Sequence, residues 1–417
     1  TNLDTGIFTT KLNNNFPQLQ NTTISTKIAH YTVGAGSTCV AAVQGKKVSN
    51  LKAKGEFLER LSSSFPVDLF IKSKDNNEAL TLFSQQELLA KKLFSFGYKK
   101  IKSRYVYYAL PKIKKEGDLY MRQPTTNGGA GHFDYCEAVV NGLLETIERD
   151  AFLVHWLNTI PPKKIDIDSY LAKNVSLNLE NLKDLQYLIQ DFKKYNIEYS
   201  FLDITSDIDV PVVCCVLVTG SKTGKRVSLG ASAGFDILDT LLSSATEATS
   251  IASANYFKDP YVLEDSYTPF QDNIIGRNER LRLYTTDNMF TKVSFLLSNT
   301  TTISVEDWST AGGAILARGY NVSNLSGNTK GILKYLKEIF KERVKSNKDY
   351  EVVVYQIKNK LLSHFDYKVV RVFCDALYSV YLNENYANPD HPRLKEFIKN
   401  KGLEKVARLN TSPHLFP

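Results

Sequence analysis

Glu145 and Glu148 stand three residues apart in a segment that repeats polar groups at spacings of three and four. On a helix, where each residue advances 100°, such spacings return to nearly one face. Asp134, Glu137, Asn141, Glu145 and Glu148 then fall within about 80° of one another, and Cys136, Val139, Val140, Leu143, Leu144, Ile147 and Ala151 occupy the other side. The pattern recurs twice more: as Lys52, Glu56, Glu59 and Arg60, and as Asp236, Asp239, Ser243, Glu247 and Ser250. A solvated face would intersperse lysine, yet none lies between Lys115 and Lys163. Two carboxylates roughly 5.5 Å apart repel by about 3 kcal/mol at an effective dielectric near 20. If the face is enclosed it needs a cation, and Arg149 alone cannot balance it. Oxygen donors without His or Cys suit a hard ion, magnesium before zinc. Magnesium held this way usually bridges substrate phosphates, so residue chemistry reaches a carboxylate–magnesium–phosphate site and stops there.

Each copy is preceded by small residues: Gly34-Ala35-Gly36, Gly128-Gly129-Ala130-Gly131, and Gly230-Ala231-Ser232-Ala233-Gly234. They are expected to be loops whose amides face phosphate oxygens at helix starts. None has the Walker A Lys-Ser/Thr or a Gly-x-Gly-x-x-Gly after a strand. Runs 105–109, 198–202, 210–218, 350–357 and 368–373 read as strands, and 84–96, 178–195, 329–345 and 392–401 as amphipathic helices. The first of these helices opens on Ser84 and Glu87 at capping-box spacing. Strands alternating with helices predict an α/β (mixed α+β) fold. Without a linker or composition break, one large domain is expected over 1–417, an N-terminal part of about 1–120 preceding a main core of 121–417.

Composition narrows the classes. At 417 residues with a net charge of +8, the chain suits an anionic partner, but no helix-turn-helix, zinc-finger or RNA-binding aromatic motif supports nucleic acid. Five cysteines, none in Cys-x-x-Cys spacing, point to a reducing cytoplasm. No apolar run approaches the roughly 20 residues of a membrane span. The six histidines form no metal-ligand spacing; His155 beside Trp156 reads as a packed core residue, while His132 and His414 are candidates for a nucleotide or substrate contact.

The stretch Thr126-Asn127-Gly128-Gly129-Ala130-Gly131, then Glu137-Ala138, then Glu145-Thr146-Ile147-Glu148-Arg149-Asp150, resembles the signature of the YcaO family: Ser-Asn-Gly, a small-residue loop, Glu-Ala, and Glu-x-x-Glu-Arg-Asp. Glu56-Phe57-Leu58-Glu59-Arg60 resembles the family's earlier Glu-x-x-Glu-Arg helix, and 230–250 its third. Pro413-His414-Leu415-Phe416-Pro417 resembles the proline-rich end of azoline-forming members. Lys52 stands where the family has Ser, Ser250 where it often has Gln, and His132-Phe133 where Gly-Asn is common, which removes a usual polar contact to nucleotide.

The resemblance implies a YcaO-type domain with three loop-helix units around an ATP site. It implies a cyclodehydratase: a Cys, Ser or Thr side chain of a ribosomal precursor peptide attacks the preceding carbonyl, ATP phosphorylates the amide oxygen, and loss of phosphate leaves a thiazoline or oxazoline. Glu56, Glu59, Arg60, Glu137, Asn141, Glu145, Glu148, Arg149 and Glu247 would bind ATP, Glu56, Glu137, Glu145 and Glu148 would hold Mg2+, and Pro413, His414 and Pro417 would order proton transfer. With no region set aside for a ThiF-like module, the chain resembles the discrete proteins of the streptolysin-S and microcin B17 types. Those work with a ThiF-like protein that binds the leader peptide and often an FMN-dependent dehydrogenase; a homodimer is a further option. Two other readings stand: a non-catalytic docking scaffold, and a family member making thioamides or amidines.

Overall fold

The structure is a computed structural model. It describes residues 5–11, 19–28, 31–40, 45–64, 66, 83, 85–107, 125–174, 177, 179–221, 224–255, 259–263, 267–271, 277–404 and 408–416, with side chains from 51 onward except 221, 254, 255, 277 and 278. Thirteen strands among these residues form three sheets. The first is a meander of β1 (Thr5–Lys11), β2 (Leu19–Ile28) and β3 (Tyr31–Val40). The second has the order β10-β9-β8-β7-β11, built from β7 (Lys163–Ile165), β8 (Glu198–Asp203), β9 (Val212–Ser221), β10 (Gly224–Ala233) and β11 (Thr302–Ile303). The third has the order β5-β4-β12-β13-β6, built from β4 (Glu87–Lys92), β5 (Tyr98–Lys102), β6 (Gly129–His132), β12 (Val353–Ile357) and β13 (Lys368–Phe373). Pairing is antiparallel except between β11 and β7.

Three strand-to-helix units place the acidic faces. β3 precedes α1 (Gly45–Ser64), β6 precedes α2 (Tyr135–Leu157), and β10 precedes a helix over Ile237–Asn255, here α3. α2 packs against both five-stranded sheets. Val139, Val140, Leu143, Ile147 and Ala151 lie in the core as the helical period requires, whereas Cys136, on the first turn before the helix enters the core, is exposed. Of the other expected helices, 178–195, 329–345 and 392–401 are found as Glu180–Lys194, Thr329–Ser346 and Pro392–Asn400.

The expected helix over 84–96 is instead the hairpin β4–β5. Ser84 lies outside the described residues, and Gly97, at φ +101°, makes the turn. Burial in β4 alternates with Leu88 and Ala90 inward, a period of two that the exposed Leu89 conceals in the sequence. The expected strand at 105–109 begins as a helical turn over Ser103–Val106, and 108–109 lie outside the described residues.

Asp150, the last acid of the central signature, does not face the site. It accepts two hydrogen bonds from Arg393 Nε at 2.9 and 3.0 Å, one from Arg393 Nη2 at 2.8 Å and one from the amide of Tyr378 at 2.8 Å. Arg393 also pairs with Asp207 at 2.6 Å, and Asp207 with Arg343 at 3.0 Å. Burial alone would raise the Asp207 carboxyl, but Arg393 and Arg343 more than offset it and hold it well below the usual range. Removing Arg393 leaves the buried Asp150 carboxylate without a counter-charge and Asp207 with Arg343 alone. Arg393→Ala is therefore expected to cost about 3–5 kcal/mol of stability, read as a lowered midpoint of urea unfolding.

Candidate active site

Most of each small-residue segment lies in a strand, β3, β6 or β10, with Gly128 in a turn at φ +72° and Gly234 just past β10; in the second and third units close packing leaves no room for side chains. A Cβ on Gly230 would lie 2.5 Å from the backbone of Ser244 and Ala248 and 2.6 Å from Glu247 Cβ. One on Gly129 would lie 3.2 Å from Glu59 Oε1, and one on Gly142 2.8 Å from Val372 Cγ2. Close approach lets backbone amides of the turn before β6 and of β10 hold carboxylates. Gly128 N–H donates to Glu145 Oε2 at 2.8 Å, Ala231 N–H donates to Glu247 Oε2 at 3.0 Å, and Glu148 accepts from the amide of Ala233. The second and third units thus use one device: an amide 17 or 16 residues upstream fixes the glutamate of the helix.

These contacts draw three helices together. Glu59 of α1 is raised to about 8 by burial, then by Glu145 and Glu56, with Arg60 and Arg371 opposing. Glu148 of α2 is also raised to about 8, by burial first; Arg149 and the Ala233 amide oppose this, and Glu247 of α3 and Glu145 add to it. Arg60 pairs with Glu56 at 2.5 Å, and Arg149 reaches Glu145 at 3.4 Å and Glu148 at 3.7 Å. α1 and α3 meet as well: burial raises Asp239, and Lys52 opposes it. Glu56, Glu59, Arg60, Glu145, Glu148, Arg149 and Glu247 therefore form one cluster.

Other expected residues fall elsewhere. Asp134 and Asp236 cap their helices, accepting from the amides of Glu137 and Asp239 at 3.0 Å each, so neither belongs to the acidic face. Glu137 is half-buried two turns before Glu145 and accepts from the Thr329 hydroxyl. Asn141 is exposed and lines a cavity of about 1030 Å³ that also reaches Glu56 and Glu59. His155 is packed, its Nδ1–H donating to Ala151 O at 2.8 Å, and burial lowers it to about 4.

The tail threads the core. Pro413 O accepts from Tyr284 Oη, and Ser412 O accepts from Trp156 Nε1 at 3.2 Å. His414 is fully buried and donates from Nε2 to Tyr381 O; burial, then Arg280, hold it well below its ordinary range, so it is a neutral packing residue. Phe416 is the tail residue that meets the cluster: its ring packs tilted against Phe152, 4.7 Å between centroids at 53°, and the Arg149 guanidinium sits over it at 4.2 Å. Pro417 lies outside the described residues.

Sequence reasoning missed Arg371 and the role of Asn127. Arg371 is buried on β13, donates to Thr125 O and Tyr105 O, and lowers Glu59. Its signal was an arginine inside the apolar run Lys368–Phe373. Asn127 is 6% exposed, and neither polar atom of its side-chain amide has a hydrogen-bond partner. It immediately precedes the amide that holds Glu145.

Five glutamates share the cluster with Arg60, Arg149 and Arg371, so ionised carboxylates would outnumber guanidiniums five to three. Cys214 of β9 is near enough to feel Glu247 and Glu148. Burial, then Cys215 and those acids, hold its thiol well above the ordinary value, so it stays neutral and is no soft ligand. Among the described residues no three of these side chains already converge as a metal-ligand set, but oxygen donors that need added positive charge to ionise, beside an unsatisfied Asn127, have the chemistry to receive a hard divalent cation carrying phosphates.

A mixed fold with such a cluster defines a carboxylate site for a metal-bound nucleotide. Residues 101–377, well over half of the chain, match the family described as YcaO cyclodehydratase, ATP- and Mg2+-binding, and the chain belongs to the YcaO family. Among solved structures it is similar to a heterocyclase in complex with substrate and cofactor (TM-score 0.67, 14% identity, 99% of this chain and 55% of that one). It is also similar to YcaO from Methanopyrus kandleri bound with AMPPCP and Mg2+ (0.60, 14%, 93% and 90%). A third likeness is to the E. coli microcin synthetase McbBCD complex (0.53, 16%, 98% and 96%). At these identities the likeness is one of fold. The chain spans about half the length of two heterocyclases, 55% of the first and 50% of TruD. Among curated proteins none matches the sequence.

Proposed function

We propose that the chain is the ATP-dependent cyclodehydratase subunit that converts Cys, Ser or Thr of a ribosomal precursor peptide into thiazoline or oxazoline. One observation carries this: glutamates from α1, α2 and α3 meet in a single buried, mutually coupled cluster. Bound ATP and Mg2+ would supply the phosphoryl group that turns the substrate's amide oxygen into a leaving group. Glu56, Glu59, Glu145, Glu148 and Glu247 would hold the cation, with Glu137 and Asn141 toward the entrance. Backbone amides on Glu145, Glu148 and Glu247 fix those oxygens before ligand arrives, the preorganisation on which phosphoryl transfer depends. Arg149, braced by two carboxylates and the Phe416 ring, would offset charge on phosphate oxygens.

The same reading gives the chain a cytoplasmic setting, a separate leader-binding partner, a precursor peptide and an azoline-oxidising flavin enzyme, in a system of the streptolysin-S or microcin B17 type. It draws support from a fold similar to the E. coli McbBCD complex with pro-MccB17 bound (TM-score 0.51, 14% identity, 98% and 96% coverage). Among the described residues no helix is long and apolar enough to cross a membrane. Purified chain, leader-binding partner, precursor peptide and Mg-ATP are expected to remove the mass of one water per ring, and the Glu145→Ala chain none. Intact peptide with the unsubstituted chain, despite Mg-dependent ATP binding, would refute ring formation. A gain of sulfur or amine would indicate thioamide or amidine chemistry, and absence of nucleotide binding a scaffold.

A further inference from the structure

The cavity of about 1030 Å³ beside the cluster is lined by Glu56 and Glu59 and also by Phe133, Phe365 and Tyr367. Tyr367 stands next to the glutamates, close enough for Glu59 to raise its hydroxyl, and Phe133 lies beyond it. Phe133 is 65% exposed and Phe365 48%, so core packing accounts for neither. The Phe133 and Tyr367 rings form a T-shaped pair, 5.1 Å between centroids at 83°, and most of the Phe133 ring stays open to the cavity. Tyr367 is itself wedged in place. A Cβ on Gly55 would lie 2.8 Å from its hydroxyl, and one on Gly131 2.5 Å from Cε1, so the first and second units both give up a side chain to seat this ring. The turn that carries Phe133 is tied by His132 Nδ1, which accepts from the Asp134 amide at 3.0 Å.

From this geometry we infer that Phe133, seated against Tyr367, is a stacking platform for the nucleobase of the bound nucleoside triphosphate. The inference rests on the cyclodehydratase reading in one respect, the placement of the phosphates at Glu56 and Glu59. With the phosphates there, the base has an aromatic wall in the same cavity. Stacking uses the π-face that every base presents, so it gives affinity with little discrimination between purines.

Calorimetric titration of the full chain with Mg-ATP, Mg-GTP and Mg-tripolyphosphate tests this. Phe133→Ala is expected to weaken ATP and GTP alike by about tenfold, to leave tripolyphosphate unchanged, and to be rescued by Phe133→Trp. Because the side chain is exposed, its removal leaves no core cavity. An Ala variant that binds ATP like the parent, a Trp variant as weak as Ala, or equal weakening of tripolyphosphate would each overturn the platform. If the unsubstituted chain binds tripolyphosphate as tightly as ATP, the platform falls and the carboxylate site stands. If it binds neither, both fall.

Discussion

Glu148→Gln is expected to abolish ATP-dependent activity while raising the melting temperature of the metal-free protein at pH 8. The two effects have one cause. Glu148 is pushed to about 8 by burial and by Glu247 and Glu145, against an ordinary value near 4.5. Where a folded-state pKa is raised, the folded protein holds a proton that the unfolded chain has lost, so stability falls as pH rises from about 4.5 through about 8. A shift of that size corresponds to at most about 5 kcal/mol above the window, less once coupled neighbours adjust. Gln keeps the shape and removes the charge, so the variant loses part of the decline. Glu59, also near 8, retains the rest. Thermal melts from pH 5 to 9 without metal, with a parallel assay of phosphate release, check both halves. A variant with parental pH dependence would show that Glu148 is not a buried charge.

The second large effect belongs to Phe416, which is 1% exposed and bridges Phe152 and Arg149. Phe416→Ala opens a cavity and should cost about 3–5 kcal/mol, together with the anchoring of Arg149. Phe416→Leu separates the two contributions. It restores most of the volume, costing on the order of 1.5 kcal/mol, but presents no aromatic face to the guanidinium. The expected result is a near-parental melting temperature with kcat lowered about tenfold, in keeping with a cation–π contact of up to about 2 kcal/mol when desolvated. Parental kcat in the Leu variant would reduce the tail to a packing element.

What the sequence made legible was set by periodicity. The spacing of Glu145 and Glu148, and of their counterparts at Glu56, Glu59 and Glu247, carries directly into a shared cluster because helix geometry depends only on local backbone. The same spacing overreached at Asp134 and Asp236, since a side chain just before a helix turns back to cap it. Gly129, Gly131 and Gly230 read as loop residues because small residues break any strand pattern. Their reason is tertiary: α3 lies against Gly230, Arg371 and Glu59 against Gly129, and Tyr367 against Gly131. Arg371 and the Asp150–Arg393 pair were hidden for a related reason: partners 243 residues apart leave no periodic trace. The β4–β5 hairpin was lost to an exposed leucine and a helix-like run of Glu, Leu and Lys.

Binding of a metal-bound triphosphate is expected to displace protons from these glutamates into solvent. Calorimetry of Mg-ATP binding at pH 7, repeated in buffers of different ionisation enthalpy, measures that exchange. With Glu59 and Glu148 near 8 in the free protein, binding should release between about one and two protons. Binding with no proton release, or with proton uptake, would contradict it.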